Sequence, residues 1–216
     1  MSIFSKISFK DQAFKLRENA ILDATTHILG DKGFDLMTMD DVANAVGISK
    51  PSLYKHFKSK EDLVGEALIR LIDGATDYLA KLAPELSPLQ KLAALLEWAL
   101  RVRLQGGLPF LPSTNASVRA MLMRNISYMM RIMKLNGQLK KLVQAAQQQG
   151  DLDASLPCDV ILFSYYSRTC DPAVDYLQQF SKMSEDDIVS AMLRVAFSGF
   201  TASQAASHTT SHSALI

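Results

Sequence analysis

The chain has 216 residues, 48% of them hydrophobic and 21% charged, and its formal net charge is +1. This length allows one large core or a small module joined to a larger one, and the composition is that of a soluble globular protein. The sequence has no apolar run of the ~18 residues that cross a bilayer, no signal peptide and too few cysteines for a disulfide framework. We therefore expect a cytoplasmic protein that does not bind membranes.

Helical periodicity runs along the chain, whereas strand signals are almost absent. A first helix is predicted over about 11–29, because Gly30 and Gly33 favour the left-handed conformation that ends helices. Ser59 is a good N-cap for the fourth helix, which is predicted from Lys60 to about Leu82.

The later helices are predicted at about 88–105, 114–126, 128–149, 156–180 and 184–199. The dipeptide Asn136-Gly137 should interrupt the third of these, and Pro172 should kink or divide the fourth. Together with two short helices described next, these segments predict an all-α fold of about nine helices. The small, polar tail over 201–216 is predicted to be disordered.

Two very short helices are predicted between the first long helix and the fourth. Thr38, followed three residues later by Asp41, resembles a capping box that begins a helix over about 39–46. Ser49 then caps a second helix, which has a proline in its first turn and ends near Phe57. Helices this short are marginal alone, so the flanking helices must hold them.

The two short helices have the pattern of a helix-turn-helix, with Gly47 in the tight turn. Their shared apolar core is predicted to contain Val42, Val46, Ile48, Leu53 and Phe57. The side chains left exposed on the second helix are predicted to be Lys50, Ser52, Tyr54, Lys55 and His56. The run from Lys50 to Lys60 contains four lysines and no acid, so this face suits the major groove of DNA.

The run from Thr38 to Leu63 resembles the signature of the TetR family of regulators, and the resemblance covers residues 12–65. It implies an N-terminal helix-turn-helix domain over 1–65, joined through the fourth helix to a helical effector-binding and dimerisation domain over 66–200. It also implies a homodimer that binds double-stranded DNA at a palindromic operator. The common behaviour of the family is that of a repressor released by a small molecule.

The resemblance also implies roles for single residues of the DNA-binding domain. Thr38, Tyr54 and Lys60 would contact backbone phosphates, the lysine from the positive end of the fourth helix. Lys50 and Ser52 would face base edges, because lysine can donate to O6 and N7 of guanine. The remaining residues of the predicted interface are Ser49 at the helix cap, Pro51 in apolar contact with a base, and Lys55 and His56 at a base or a phosphate.

A pocket and a dimer interface are predicted in the C-terminal domain. Methionines that adapt to varied ligands lie near aromatic residues, which suits a hydrophobic or aromatic small molecule. The predicted pocket lining is Trp98, Arg101, Phe110, Met121, Arg124, Tyr128, Met129, Phe163, Tyr166 and Cys170. The last two helices are predicted to pack against a second copy through Val160, Ile161, Ile188, Met192, Val195 and Phe200.

Two other functions stay open at this point. One is a DNA-binding dimer whose C-terminal domain is only a scaffold, and the other is an enzyme or a redox sensor. All four histidines lie outside residues 66–200, so this region has no Ser-His or Cys-His pair and no His-containing zinc site. Cys158 and Cys170 are too far apart in sequence for a metal pair, and no basic cluster flanks either thiol. We therefore expect no enzyme activity, no cofactor and no metal.

Overall fold

The protein is described here by a computed structural model, which covers residues 9–107 and 116–198. These ranges contain ten helices and no strand, which confirms the predicted all-α class. The helices are α1 (Phe9–Leu36), α2 (Met39–Val46), α3 (Lys50–Tyr54), α4 (Lys60–Lys81), α5 (Pro88–Leu104), α6 (Ala116–Arg124), α7 (Ile126–Gln148), α8 (Cys158–Thr169), α9 (Ala173–Phe180) and α10 (Glu185–Ser198). The predicted tail over 201–216, Phe110 of the predicted pocket and Phe200 of the predicted interface lie outside the described residues.

Helix α1 is longer than predicted, because Gly30 does not end it. The helix runs through Gly30 and is broken only at Gly33, whose φ of 72° and ψ of 171° are not helical. A Cβ added to Gly30 would lie 3.2 Å from the carbonyl oxygen of Gly106, beyond the end of α5. Gly30 therefore permits a close approach between α1 and the C-terminal half, a use of glycine that local sequence does not distinguish from helix termination.

The two predicted breaks in the C-terminal half have different outcomes. Helix α7 continues through Asn136-Gly137, so the predicted interruption there is wrong. A glycine inside a helix costs about 1 kcal/mol relative to alanine, and the packing of α7 against α4 and α5 overcomes this cost. Pro172 divides the predicted helix over 156–180 into α8 and α9, which accounts for the tenth helix.

Helix α4 joins the two halves of the protein. Its first turns bury Leu63 and Val64, and its later turns bury Ile72 and Ala75. It packs against α1 as well as against α5 and α7. The buried residues of both halves form one hydrophobic cluster, and α4 is in direct contact with α7.

Ion pairs on the surface connect α4 to its neighbours. Arg70 of α4 binds Asp23 of α1 with a distance of 2.7 Å, and Arg131 of α7 binds Asp73 of α4 with a distance of 2.9 Å. All four side chains are at least one third exposed. Such pairs contribute about 0–1 kcal/mol each, so the buried contacts set the position of α4.

Candidate nucleic-acid interface

Helix α2 begins with a reciprocal capping box, as predicted. The hydroxyl of Thr38 accepts a hydrogen bond from the amide of Asp41 at 3.1 Å, and the carboxylate of Asp41 accepts one from the amide of Thr38 at 2.9 Å. The same carboxylate accepts a hydrogen bond from Nζ of Lys32 at 2.8 Å. The bond from Lys32, followed by those from Thr38, lowers the pKa of Asp41 to about 2. The start of α2 is therefore held by several polar contacts.

The turn between α2 and α3 depends on Gly47. Its φ of 72° and ψ of 33° lie in the left-handed region, which glycine adopts without strain. Ser49 then caps α3, because its hydroxyl accepts a hydrogen bond from the amide of Ser52 at 3.3 Å. Helix α3 ends at Tyr54 and not near Phe57 as predicted. The next two amides bond to carbonyls three residues back, which makes a tighter turn.

The apolar sides of α2 and α3 form the predicted core. Val42, Leu53 and Phe57 are at most 4% exposed, and Val46 and Ile48 are partly buried against them. This packing leaves the opposite side of α3 open. The predicted interface residues that are exposed are Thr38, Ser49, Lys50, Pro51, Tyr54 and Lys55, while Ser52 is partly buried.

Lys50 is paired with an acid that sequence analysis missed. Its Nζ donates to Oδ2 of Asp40 at 2.8 Å, and the two side chains are about half exposed. The hydrogen bond to Asp40 raises the pKa of Lys50. Asp40 lies in the first turn of α2, so this contact shows that the beginnings of α2 and α3 are close together. The run of lysines after residue 50 contains no acid, and only the fold brings Asp40 to it.

His56 is not on the exposed face, which corrects the prediction. Its ring stacks on the ring of Phe14 in α1 with 4.0 Å between the centroids, and its Nδ1 is buried without a hydrogen-bond partner among the described residues. Burial lowers the pKa of His56, although the charge of Glu18 opposes this effect. His56 therefore packs against α1 and is only partly exposed.

Lys60 is also turned towards the protein. Its Nζ lies 4.4 Å from the centroid of the Phe34 ring and donates to the carbonyl oxygen of Asp35 at 3.4 Å. This places the ammonium group near the end of α1, where a positive charge is favourable. A contact of Lys60 with phosphate stays a prediction, and it would require this side chain to share or leave its present partners.

The interior of the C-terminal half contains a cluster of polar side chains. The sequence predicted two of them, Tyr128 and Tyr166, but not Asn136. Tyr128 and Tyr166 are buried, and the hydroxyl of Tyr166 donates to Oδ1 of Asn136. Burial raises the pKa of both tyrosines. The hydroxyl of Tyr165 donates to the carbonyl oxygen of Leu92 at 2.9 Å. Asn136 was missed because its dipeptide with glycine indicated a helix break.

Three residues of the predicted pocket lie at the surface instead. The side chain of Phe163 is 60% exposed, and Arg124 is exposed as well. Arg101 forms ion pairs with Glu97 at 2.9 Å and with Asp186 at 2.8 Å, which join α5 to α10. Helical periodicity places a residue on a helix but does not say which face the neighbouring helices cover.

The remaining described pocket residues, Trp98, Met121, Met129 and Cys170, are partly buried. Trp98 stacks on Tyr78 with 5.7 Å between the ring centroids and borders a cleft of about 180 Å³ between α1, α4 and α5. The interior gap next to Tyr166 has no room for a water molecule. The described part of the interior is therefore closely packed around this tyrosine.

The predicted dimer interface divides into buried and exposed residues. Ile161, Ile188 and Met192 are at most 6% exposed and lie in the core of the protomer. Val160 and Val195 are 51% and 56% exposed. A residue one position along a helix points about 100° away, which is why Ile161 is buried although Val160 is not.

The described ranges offer little support for metal, redox or membrane functions. These ranges contain no group of three or more His, Cys, Asp or Glu residues that could hold a metal ion. Burial raises the pKa of Cys158, which disfavours the thiolate that a redox sensor needs. No helix in the same ranges combines the length and the apolar character needed to cross a membrane.

Comparison with known proteins gives a match in sequence and a match in fold. Residues 21–67 match the bacterial regulatory proteins of the tetR family. The HTH-type transcriptional repressor KstR2 of Mycolicibacterium smegmatis is 38% identical over 80 residues, which is 37% of this chain and 39% of that protein. The aligned part of the chain thus spans well under half the length of this relative.

Two solved structures share the fold over most of the chain. The fatty acid degradation regulator FadR from Bacillus halodurans has a TM-score of 0.63 and 13% identity, and covers 84% of this chain and 94% of its own. The regulator FadR from Bacillus subtilis in complex with stearoyl-CoA has a TM-score of 0.58 and 15% identity, and covers 84% of this chain and 98% of its own. At these identities the likeness shows the fold alone.

A capped helix-turn-helix with an open, lysine-bearing second helix, followed by a larger helical body, is the architecture of many helix-turn-helix DNA-binding proteins. The matches in sequence and fold are more specific than this class. Residues 21–67 match the model of the tetR family of bacterial regulatory proteins, and this part of the chain forms the helix-turn-helix.

Proposed function

We propose that this protein is a transcriptional repressor that binds a palindromic operator as a homodimer and is released by a small hydrophobic or aromatic effector. The observation that carries the proposal is the open face of α3, where Lys50, Tyr54 and Lys55 are exposed above a buried core. Its partners are double-stranded DNA, a second copy of the chain and the effector, and its place of action is the cytoplasm.

Recognition of DNA by this face follows from its chemistry. Lys50, at the first turn of α3, would donate to guanine in the major groove. Tyr54 is 44% exposed, which leaves its hydroxyl available to a phosphate. A single domain with so few contacts binds weakly, so a second copy on the same site is needed. Two copies related by two-fold symmetry read a palindromic sequence.

An exposed apolar face supports association of two copies. Val160 and Phe163 are 51% and 60% exposed and lie on one side of α8, since residues three apart share a helix face. Val195 on α10 is 56% exposed. Burial of these side chains against a second copy would hold the two α3 helices about 34–36 Å apart, the spacing of successive major grooves.

Release of DNA by an effector would begin at the cluster of polar side chains formed by Tyr128, Tyr166 and Asn136. Apolar and aromatic residues around a few polar atoms suit an amphipathic or aromatic molecule, and the related fold of FadR from Bacillus subtilis was solved with stearoyl-CoA. The close packing around Tyr166 means that a ligand must separate α7 from α8. Because α7 packs on α4, this separation would tilt α4 and change the spacing of the two α3 helices.

Selection from a random pool of duplexes by the full-length protein tests DNA recognition. We expect enrichment of a palindrome whose half-site centres are about 10 base pairs apart. Failure to enrich any sequence would contradict the proposal. To distinguish repression from activation, the enriched sequence is placed within a promoter, and transcription is compared with and without the protein. A repressor should lower transcription.

Release is tested by titrating stearoyl-CoA and a panel of aromatic acids against the complex with the enriched duplex. A ligand that enters beside Tyr166 should lower DNA affinity in the wild type and have a weaker effect on Tyr166→Phe. If no compound releases the duplex, the close packing favours the second candidate, a DNA-binding dimer whose C-terminal domain is a scaffold.

A further inference from the structure

We propose that Asp40 increases the sequence specificity of the DNA-binding domain by neutralising the charge of Lys50 outside the correct site. This inference rests on the proposed function, since it concerns how the same face distinguishes one DNA sequence from another. The observation behind it is the 2.8 Å contact between Nζ of Lys50 and Oδ2 of Asp40 on the open side of the domain.

The chemistry of the pair favours bases over phosphates. An unpaired lysine binds phosphates of any sequence, which adds affinity without specificity. The carboxylate of Asp40 cancels this charge and repels a phosphate that approaches Lys50. An ammonium group has three N–H donors, so Nζ can keep its bond to Asp40 and still donate to O6 or N7 of guanine. The acceptors of a base carry no net charge, and the neighbouring carboxylate therefore opposes them less than it opposes a phosphate.

Asp40 differs in this respect from the acid beside it. Asp41 is committed to the capping box with Thr38 and to Lys32. The bond described for the carboxylate of Asp40 is the one to Lys50, and this bond is not part of the cap of α2. Replacement of Asp40 by asparagine therefore leaves the start of α2 intact and changes the charge next to Lys50.

The test compares Asp40→Asn with the wild type on two duplexes, the one that the wild-type protein enriches and a scrambled duplex of equal length and composition. An exposed ion pair is weak, so we expect the ratio of the two affinities to fall by about twofold to fivefold per half-site. The fall should come from tighter binding to the scrambled duplex. The slope of log affinity against log salt on that duplex should increase by about one per half-site, because Lys50 now neutralises a phosphate.

Two controls separate this effect from a general change of charge. Asp31→Asn makes the same change in net charge on α1, where Asp31 borders a cleft with Arg103 and Gln178, and it should leave the ratio unchanged. In a Lys50→Met background, Asp40→Asn should no longer lower the ratio, because its effect passes through Lys50. Thermal unfolding without DNA should show that Asp40→Asn is folded and at most slightly less stable than the wild type, because Asp40 lies in the first turn of α2 and pairs with Lys50.

Each other outcome overturns the inference. Equal changes on both duplexes would show that Asp40 acts only on overall charge. A loss confined to the enriched duplex would show that Asp40 contacts a base itself, and a persistent effect in the Lys50→Met background would show that Lys50 is not involved. A wild-type protein that enriches no sequence would overturn the proposed function first, whereas an enriched sequence with an unchanged ratio would overturn this inference alone.

Discussion

The hydroxyl of Thr38 donates a hydrogen bond to the carboxylate of Asp41 at 2.8 Å while it accepts one from the amide of the same residue at 3.1 Å. An ionised carboxylate has no proton, so the single hydroxyl proton of Thr38 is committed to Asp41. A phosphate oxygen is also only an acceptor. The predicted contact between Thr38 and a phosphate therefore requires this hydroxyl to give up its bond to Asp41, and capping is its role in the free protein.

The stability of the fold should depend on pH in the acid range because of Asp41. Its pKa is about 2 in the folded protein, below the ordinary value of 3.8. The ionised carboxylate therefore stabilises the fold above about pH 4, and this contribution is lost as the pH falls towards about 2. Asp41→Asn should be less stable than the wild type at neutral pH, and the difference should shrink over this acid range. Urea unfolding followed by circular dichroism measures it.

The control for this prediction is Thr38→Ser, which keeps the hydroxyl and should keep the acid dependence of the wild type. If Asp41→Asn and the wild type differ by the same amount at every pH, the carboxylate does not have its proposed effect. Exposure of Asp41 to solvent means that the direction of the change, and not its size, is the decisive result.

Gly47→Ala should destabilise the protein through backbone strain alone. Gly47 has a φ of 72°, and a Cβ built on it would have no heavy atom within 4 Å, so no clash is expected. A side chain in the left-handed region costs about 1–2 kcal/mol. The free energy of unfolding should fall by this amount, and DNA affinity should fall with it because the angle between α2 and α3 depends on this turn.

Gly137→Ala is the matched control, because its surroundings are equally open but its backbone is helical. Alanine in a helix is favoured over glycine by about 0.5–1 kcal/mol, so this variant should be more stable than the wild type. Opposite signs for the two substitutions are expected, and two changes of the same sign would contradict the interpretation.

Tyr54→Phe tests a phosphate contact without changing the charge of the protein. The side chain is 44% exposed, so removal of the hydroxyl should not affect folding. We expect binding to weaken by about 0.5–1.5 kcal/mol per half-site, equally on the enriched and the scrambled duplex, with an unchanged salt slope. Tyr176→Phe, which removes the hydroxyl of another exposed tyrosine on α9, should have no effect. A loss for Tyr54→Phe on the enriched duplex alone would assign the hydroxyl to a base.

Phe163→Asp should convert a dimer into monomers. Phe163 is 60% exposed in the protomer, so a charge there does not disturb the core, but it would be buried without a partner if two copies meet at α8. Sedimentation should show the mass of one chain, and DNA affinity should fall steeply because one half-site is lost. Met133→Asp on α7 changes a residue that is 66% exposed and should leave the dimer intact. Two variants with the same mass as the wild type would exclude α8 as the interface.

Features that depend on neighbours within one or two helical turns could be predicted from the sequence. The cap formed by Thr38 and Asp41, the turn at Gly47 and the cap at Ser49 were all predicted, because the interacting groups are at most a few residues apart. The apolar core under α3 was predicted for the same reason, since periodicity along two short helices leaves one arrangement in which Leu53 is covered.

Features that depend on residues far apart in the chain became visible only in the folded protein. The fold paired Lys50 with Asp40, turned His56 onto Phe14 and carried α1 through Gly30. In the C-terminal half it buried Ile161 in the protomer and left Phe163 at the surface. A helix of given sequence can bury either of two adjacent faces, and the choice depends on the total packing with other helices, which local spacing does not encode.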